Sequence, residues 1–388
     1  MEEKIKKFIL SILVLMVAFL FLGCKENTKE NTYEIAMVTD YGDITDQSFN
    51  QTTYETAKKY AEDNNKSFAY YKPVNDSTDA RVEKIEEAIS KGAKVVVMPG
   101  FAFAGAIVAV QDQYKDVKFI ALDVSEYDIE DQFYNHDANG ARTTLKDENN
   151  KPHVSSNVTS IVFQEEESGY LAGYAAVKEG ETKLGFLGGM AVPAVQRFGY
   201  GYIQGIAAAA KEMNVKVDLW YVYGGQFSGD ATITTAMETW VKNGCQTVFA
   251  CGGGIYTSII DAGKGGKCKL IGVDTDQSKV VKDIEVLTSA MKGLADATKS
   301  CLDDFYGEWK NGGKVLTWGL KTDATKEYVG LPRETWTMKN FTTANYDSVI
   351  KDIRDGKITI SSDTTKDPKD FLNENVTAKN DNFGASIK

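Results

Sequence analysis

Short apolar runs along this chain give way repeatedly to longer stretches that carry a single apolar face. Residues 34–39 form the first such run and read as a strand, with residues 51–64 as the helix that follows. Over 81–91 the apolar positions Val82, Ile85, Ala88 and Ile89 fall on one helical face, and Gly92 ends that helix. Residues 94–98 are then a run that is apolar after Lys94, as a parallel strand covered on both sides would be, and 118–122, apolar after Lys118, repeat the pattern. The same order returns in the second half. Strands are read at 183–187, 215–222, 247–251 and 269–273, and helices at 199–213 and 231–242. Residues 287–292 read as a strand turning back toward the first half and 294–309 as a helix. Residues 314–329 read as extended chain, 346–354 as a late helix, and 366 onward as a polar tail. Alternation of this kind predicts an α/β protein with parallel sheets.

A weak repeat divides the pattern into two lobes. Lys91-Gly-Ala-Lys-Val-Val-Val-Met-Pro-Gly100 resembles Asn243-Gly-Cys-Gln-Thr-Val-Phe-Ala-Cys-Gly252, and Phe119-Ile-Ala-Leu-Asp123 resembles Leu270-Ile-Gly-Val-Asp274. The predicted division assigns 34–157 plus 290–315 to an N-terminal lobe and 158–289 plus 316–388 to a C-terminal lobe, with the first junction between 154 and 162.

Ahead of the lobes lies a targeting pattern. Lys4, Lys6 and Lys7 open the chain, 8–22 is apolar apart from Ser11, and Gly23-Cys24 follows. This reads as a lipoprotein signal peptide over 1–23, lipidation at Cys24, and a polar tether over 24–33. Phe21 and Leu22 depart from the usual residues before such a cysteine, but the run is short for a span of about 20 residues.

Composition narrows the function. The 388 residues carry a formal net charge of −11, which argues against nucleic acid as a partner. Two histidines, His136 and His153, leave no basis for a His-rich metal site, and no metal or other cofactor is expected. Cys245, Cys251, Cys268 and Cys301 are dispersed; buried free thiols are the simplest reading, and spacing names no disulfide pair.

In open α/β sheets ligands bind beyond the carboxyl ends of the strands. That rule selects Asp40, Asp123 and Asp274, and the glycine-rich turns after Met98, Leu187, Val222 and Cys251. A carboxylate only accepts hydrogen bonds, so Asp40 or Asp123 suits the N–H edge of a base and Asp274 a pair of sugar hydroxyls. Lys292 would donate to a ribose oxygen. Phe49 and Phe198, each in a turn between a strand and a helix, would sandwich a flat ring if the turns face one another. Taken singly, each Phe reads equally as core and each Asp as a cap or turn residue; Asp46 is read as the cap of its helix through Ser48 and Asn50. Cys251-Gly-Gly-Gly254 lacks the lysine of a phosphate loop, so its glycines read as room for close backbone approach.

Several longer motifs occur together: Asp46-Gln-Ser-Phe-Asn-Gln51, Phe163-Gln-Glu-Glu-Glu-Ser-Gly-Tyr-Leu-Ala-Gly-Tyr174, Gly188-Gly-Met-Ala-Val-Pro193, Arg197-Phe-Gly-Tyr-Gly201, Gly272-Val-Asp-Thr-Asp-Gln277 and Thr288-Ser-Ala-Met-Lys-Gly293. In these the chain resembles the basic membrane protein family of bacterial lipoproteins, in particular the PnrA-like purine nucleoside-binding proteins. The resemblance implies a type I periplasmic-binding-protein fold, with two Rossmann-like lobes joined by a hinge of three crossings. It implies an extracytoplasmic, lipid-anchored protein that delivers adenosine, guanosine or inosine to an ABC transporter permease. By motif position it implies that Phe49 and Phe198 stack on the purine and that Asp40 and Asp123 meet its polar edge. Asn50 would join the ligand set, and Asp274, Lys292 and backbone near Gly225 or Gly252 would hold the ribose. Thr45-Asp46 replaces an acidic pair often present in the family, a change expected to affect capping. Three other functions stay open on residues alone: a sugar or signalling-molecule binder of the same fold, a nucleoside hydrolase using Asp274 and Asp276, and a surface antigen or adhesin.

Overall fold

Two parallel sheets carry the chain. The computed structural model describes residues 32–40 and 42–387; the signal sequence, Cys24 and most of the tether fall outside the described residues. The first run of elements is β1 (Ile35–Val38), α1 (Phe49–Asp63), β2 (Phe68–Tyr71), α2 (Thr78–Ser90), β3 (Val95–Pro99), α3 (Ala104–Val110), β4 (Lys118–Leu122) and α4 (Glu126–Asp131). A small hairpin of β5 (Tyr134–His136) and β6 (Arg142–Leu145) precedes β7 (Val158–Phe163). The second run is α5 (Glu165–Glu179), β8 (Lys183–Gly188), α6 (Pro193–Met213), β9 (Val217–Tyr223), α7 (Ala231–Lys242), β10 (Thr247–Cys251), α8 (Tyr256–Gly263), β11 (Lys269–Asp274) and β12 (Val286–Lys292). The chain closes with α9 (Leu294–Tyr306), β13 (Lys314–Trp318), β14 (Val329–Gly330), α10 (Thr343–Arg354) and β15 (Val376–Ala378).

The first sheet has the order β2-β1-β3-β4-β7-β13 and the second β15-β9-β8-β10-β11-β12-β14. Both contain the same doubly wound core, since β9-β8-β10-β11-β12 repeats β2-β1-β3-β4-β7. The weak repeat in sequence is therefore a repeat in topology, with β4 matching β11. Every pairing in the two sheets is parallel except β12 with β14. The central strands β1, β3 and β10 are buried along their whole length, which explains their unbroken apolar runs.

Several boundaries differ from the sequence expectation. β7 belongs to the first sheet, where it pairs with β4 and β13, so the first crossing lies after Phe163 and not at 157/158. There β7 is paired along both edges, which suits a strand buried over nearly its whole length. β12 stays wholly in the second sheet, pairing with β11 and β14, so the second crossing follows Lys292. The division expected at 315/316 would cut β13, which pairs with β7 from Lys314 to Trp318. The polar tail is also structured: β15 adds to β9, and Val376 and Phe383 are buried. Finally, α6 starts at Pro193, so Phe198 lies inside a helix and not in the turn before it. Proline at the first helical position is preorganised for such a start. Phe49 likewise is the first residue of α1.

Candidate functional site

The ends of β4 and β11 carry the same unusual backbone. Asp123 has φ 62° and Asp274 φ 64°, the left-handed region that non-glycine residues rarely adopt. Residues in such conformations cluster at binding and active sites. The neighbouring strands β3 and β10 end in Gly100 and Gly252, also at positive φ. A Cβ at Gly100 would stand 2.6 Å from Asp40 Oδ2, so glycine there lets β3 end against that carboxylate.

These strand ends enclose a cleft of about 390 Å³ between the two sheets. Eight of the nine expected ligand residues line it: Asp40, Phe49, Asn50 and Asp123 from the first lobe, Phe198, Gly252, Asp274 and Lys292 from the second. Gly225 does not. Its N–H donates to the Gly189 carbonyl at 3.0 Å, and the wall is made instead by Gln226, Phe227 and Ser228 just beyond it.

Lys292 organises the floor. Its Nζ donates to Asp123 Oδ2 at 2.6 Å and lies 3.0 Å from Glu165 Oε1, while Arg197 Nε donates to Glu165 Oε2 at 2.6 Å. Two cations and two carboxylates thus alternate in a buried chain that starts in the first lobe and ends in the second. Burial disfavours the lysine's charge, but Asp123 and Glu165 outweigh it and raise its pKa. Burial raises the Asp123 pKa against the pull of Lys292. Burial would also raise Glu165, but Arg197 and Lys292 hold it below the ordinary value.

The same ammonium sits 5.1 Å from the Phe49 ring centroid and 5.4 Å from that of Phe198. The two rings therefore approach a common point from different lobes. Phe198 is braced edge-on by Phe249, with centroids 6.0 Å apart. Asp40 accepts from Gly42 N at 2.8 Å. Asp274 accepts from Ser48 Oγ at 2.5 Å, and burial raises its pKa while Lys292 and Ser48 lower it. Asp46 has the capping role read from sequence: its two oxygens accept from the backbone N–H groups of Ser48, Asn50 and Gln51 at 2.9–3.0 Å.

Phe227 is a wall residue that the sequence reading missed. It packs where a Cβ on Gly189 or Gly252 would come within 2.4 and 2.8 Å of its ring. Its one signal was its place just after the glycine-rich turn that follows β9. Glu165 and Arg197, which hold Lys292, lie in motifs singled out for resemblance but carried no expected role. Among the described residues no group of three or more His, Cys, Asp or Glu is placed to hold a metal ion. Cys245, Cys251, Cys268 and Cys301 are buried free thiols, as expected.

Comparison with known proteins identifies the family and the fold. A family described as "Bmp: ABC transporter substrate-binding protein PnrA-like" matches residues 33–369. The chain is 29% identical over 381 residues to the ABC transporter nucleoside-binding protein BmpA of Lactococcus lactis, covering 91% of this chain and 97% of that protein. It is 26% identical to basic membrane protein A of Borreliella burgdorferi, covering 80% and 84%. Among solved structures, ABC transporter solute-binding proteins from Aeropyrum pernix superpose with a TM-score of 0.68 at 19% identity, over 85% of this chain and 94% of that one. The two-lobed arrangement is the type I periplasmic-binding-protein fold, with chain crossings between β7 and α5, β12 and α9, and β13 and β14.

Proposed function

Because this chain belongs to the Bmp family of PnrA-like ABC transporter substrate-binding proteins, we propose that the small molecule it captures is a purine nucleoside. One observation carries this reading. Phe49 and Phe198, from different lobes, converge on the ammonium of Lys292 in a cleft whose rim is rich in carboxylates. A flat base stacks between the rings, Asp40, Asn50 and Asp123 meet its N–H edge, and Asp274 accepts from the sugar hydroxyls. Lys292 keeps one N–H beyond its two ion pairs for a sugar oxygen. Stacking and burial supply affinity, and the directed hydrogen bonds supply specificity.

A ligand that bridges the lobes favours the closed form, and the closed shape is what a permease recognises. Lipid on Cys24 anchors the protein at an extracytoplasmic membrane face. This accords with the word "lipoprotein" in the names of relatives from Pyrococcus. The lobes follow the sheets: 34–163 with 294–318, and 165–292 with the remainder. Transport and not hydrolysis is the role, in line with the substrate-binding description of the family.

Two measurements test the assignment. Mass spectrometry of ligand released from freshly purified protein is expected to find a purine nucleoside. In calorimetric titrations with adenosine, guanosine, inosine, ribose and galactose, only the nucleosides are expected to bind tightly. Phe49→Ala and Asp274→Ala should each weaken nucleoside binding at least about tenfold without unfolding the protein. Unchanged affinity in both variants would remove the site from consideration.

A further inference from the structure

Ser48 stands at the N-terminal cap of α1, where a serine ordinarily accepts a hydrogen bond from the helix backbone. Here its side chain makes no capping bond. Asp46 has taken that task, accepting from the N–H groups of Ser48, Asn50 and Gln51. The Ser48 hydroxyl is turned across the cleft and donates to Asp274 Oδ2 at 2.5 Å. Ser48 is fully buried and Asp274 is 5% exposed. The other carboxylate oxygen, Asp274 Oδ1, has no hydrogen-bond partner among the described residues, and Asp274 lines the cleft. The serine belongs to the first lobe and the aspartate to the second. Other contacts join the lobes at the same place. Thr275 Oγ1 and Gln277 Nε2 approach the Gln47 carbonyl at 3.4 and 3.3 Å, and Gln47 itself has φ 53°.

From this geometry we propose that Ser48 is a positioning residue for Asp274 that acts only when the lobes are closed. The inference rests on the nucleoside reading and on Asp274 as the acceptor for the sugar hydroxyls. In the closed form Ser48 fixes Oδ2, which orients Oδ1 toward the sugar and relieves part of the desolvation of a buried carboxylate. On opening, Asp274 loses that donor and its fixed orientation. Grip on the sugar and closure of the lobes are therefore one event, and its signature is slower release more than faster capture.

The test compares inosine with 2′,3′-dideoxyinosine, which lacks the diol. Wild type should bind inosine more tightly than the dideoxy compound. Ser48→Ala should weaken inosine binding about tenfold, the scale of one hydrogen bond to a charged group, mostly through a faster off-rate in stopped flow. It should weaken dideoxyinosine binding by a clearly smaller factor, because there only the bond between the lobes is lost and not the grip on the diol. Ser48→Thr, which keeps the hydroxyl, should restore inosine binding, and Ser48→Ala should add little on top of Asp274→Ala. If Ser48→Ala does not fold, Ser48→Cys makes the same comparison with a weak donor of similar size. Equal losses for both ligands, no loss for inosine, or effects additive with Asp274→Ala would each overturn the proposal. If wild type binds inosine but does not distinguish it from the dideoxy compound, the sugar role of Asp274 and this inference fail while nucleoside binding stands. If wild type binds neither, the nucleoside reading fails as well.

Discussion

Lys292 holds an ammonium where water hardly reaches, with its side chain 2% exposed between Asp123 and Glu165 at 9% and 0%. Such a group is stabilising only while its partners stay in place, and removing one partner leaves an uncompensated charge. Lys292→Met is expected to destabilise the fold by about 3–5 kcal/mol, read by urea unfolding. Adding Asp123→Asn should recover part of that loss, because Glu165 retains Arg197 and the stranded carboxylate is gone. A double variant no more stable than the single one would contradict the alternating-charge account. Glu166 behaves differently. It is 4% exposed, and its Oε2 has no hydrogen-bond partner. Burial first, and then the charge of Glu165, lift its pKa from 4.5 to about 8. The folded protein therefore binds a proton that the unfolded chain releases near pH 4.5. The stabilisation is complete below that value and is lost as pH rises through about 8. Wild type should lose on the order of 2 kcal/mol more than Glu166→Gln between about pH 6 and about pH 9 in paired denaturation curves. Parallel curves for the two proteins would place the proton elsewhere.

At the scale of elements, the pairing of α5 with α6 sets the site. A Cβ on Gly169 would stand 2.0 Å from the Phe198 carbonyl oxygen, and one on Gly201 would stand 2.0 Å from that of Glu166. The two backbones touch, so the helix that presents Glu165 is keyed to the helix that presents Arg197 and Phe198. Gly169→Ala is expected to force them apart, costing about 1–3 kcal/mol of stability and weakening nucleoside binding through Phe198. Chemical denaturation and calorimetry check the two effects, and full retention of both would show that the crossing is not under constraint. Close approach also explains a missed boundary. Gly199 reads as a helix start, yet it lies inside α6, where a Cβ would stand 2.0 Å from the Tyr221 hydroxyl, and Gly201 lets the backbone of α6 approach that of α5. The central strands were legible because burial on both faces leaves only apolar residues. β2, a half-buried edge strand whose Phe68-Ala-Tyr-Tyr71 is only four residues long, and the two-residue β14 were not, since such short pieces set no pattern of their own.

For the whole molecule, the duplicated strand order made the candidate site partly readable. Asp123 and Asp274 could be matched by sequence because they end equivalent strands, and both reach the cleft. The crossings were harder, because an apolar strand looks the same whichever sheet receives it, and β7 abuts the second lobe within two residues. The cleft inherits the molecule's overall charge. Asp40, Asp43, Asp46, Asp123 and Asp274 all line it, while Lys292 is already paired with Asp123 and Glu165, in a chain of net charge −11. A neutral nucleoside enters this field without penalty, but a phosphate group carries about −1.5 to −2 charges into it with no free cation among the cleft-lining residues to receive them. Inosine 5′-monophosphate is therefore expected to bind at least about 100-fold more weakly than inosine. If the exclusion is electrostatic, raising ionic strength from about 0.05 M to about 0.5 M should narrow the gap in part, through the exposed Asp43 and half-buried Asp46, since the buried Asp40 and Asp274 are screened little. The inosine affinity itself should hardly move. Calorimetry of both ligands at the two ionic strengths separates the causes: a gap that does not respond to salt would mean steric exclusion of the phosphate, and equal affinities would mean that the carboxylate rim does not select the ligand.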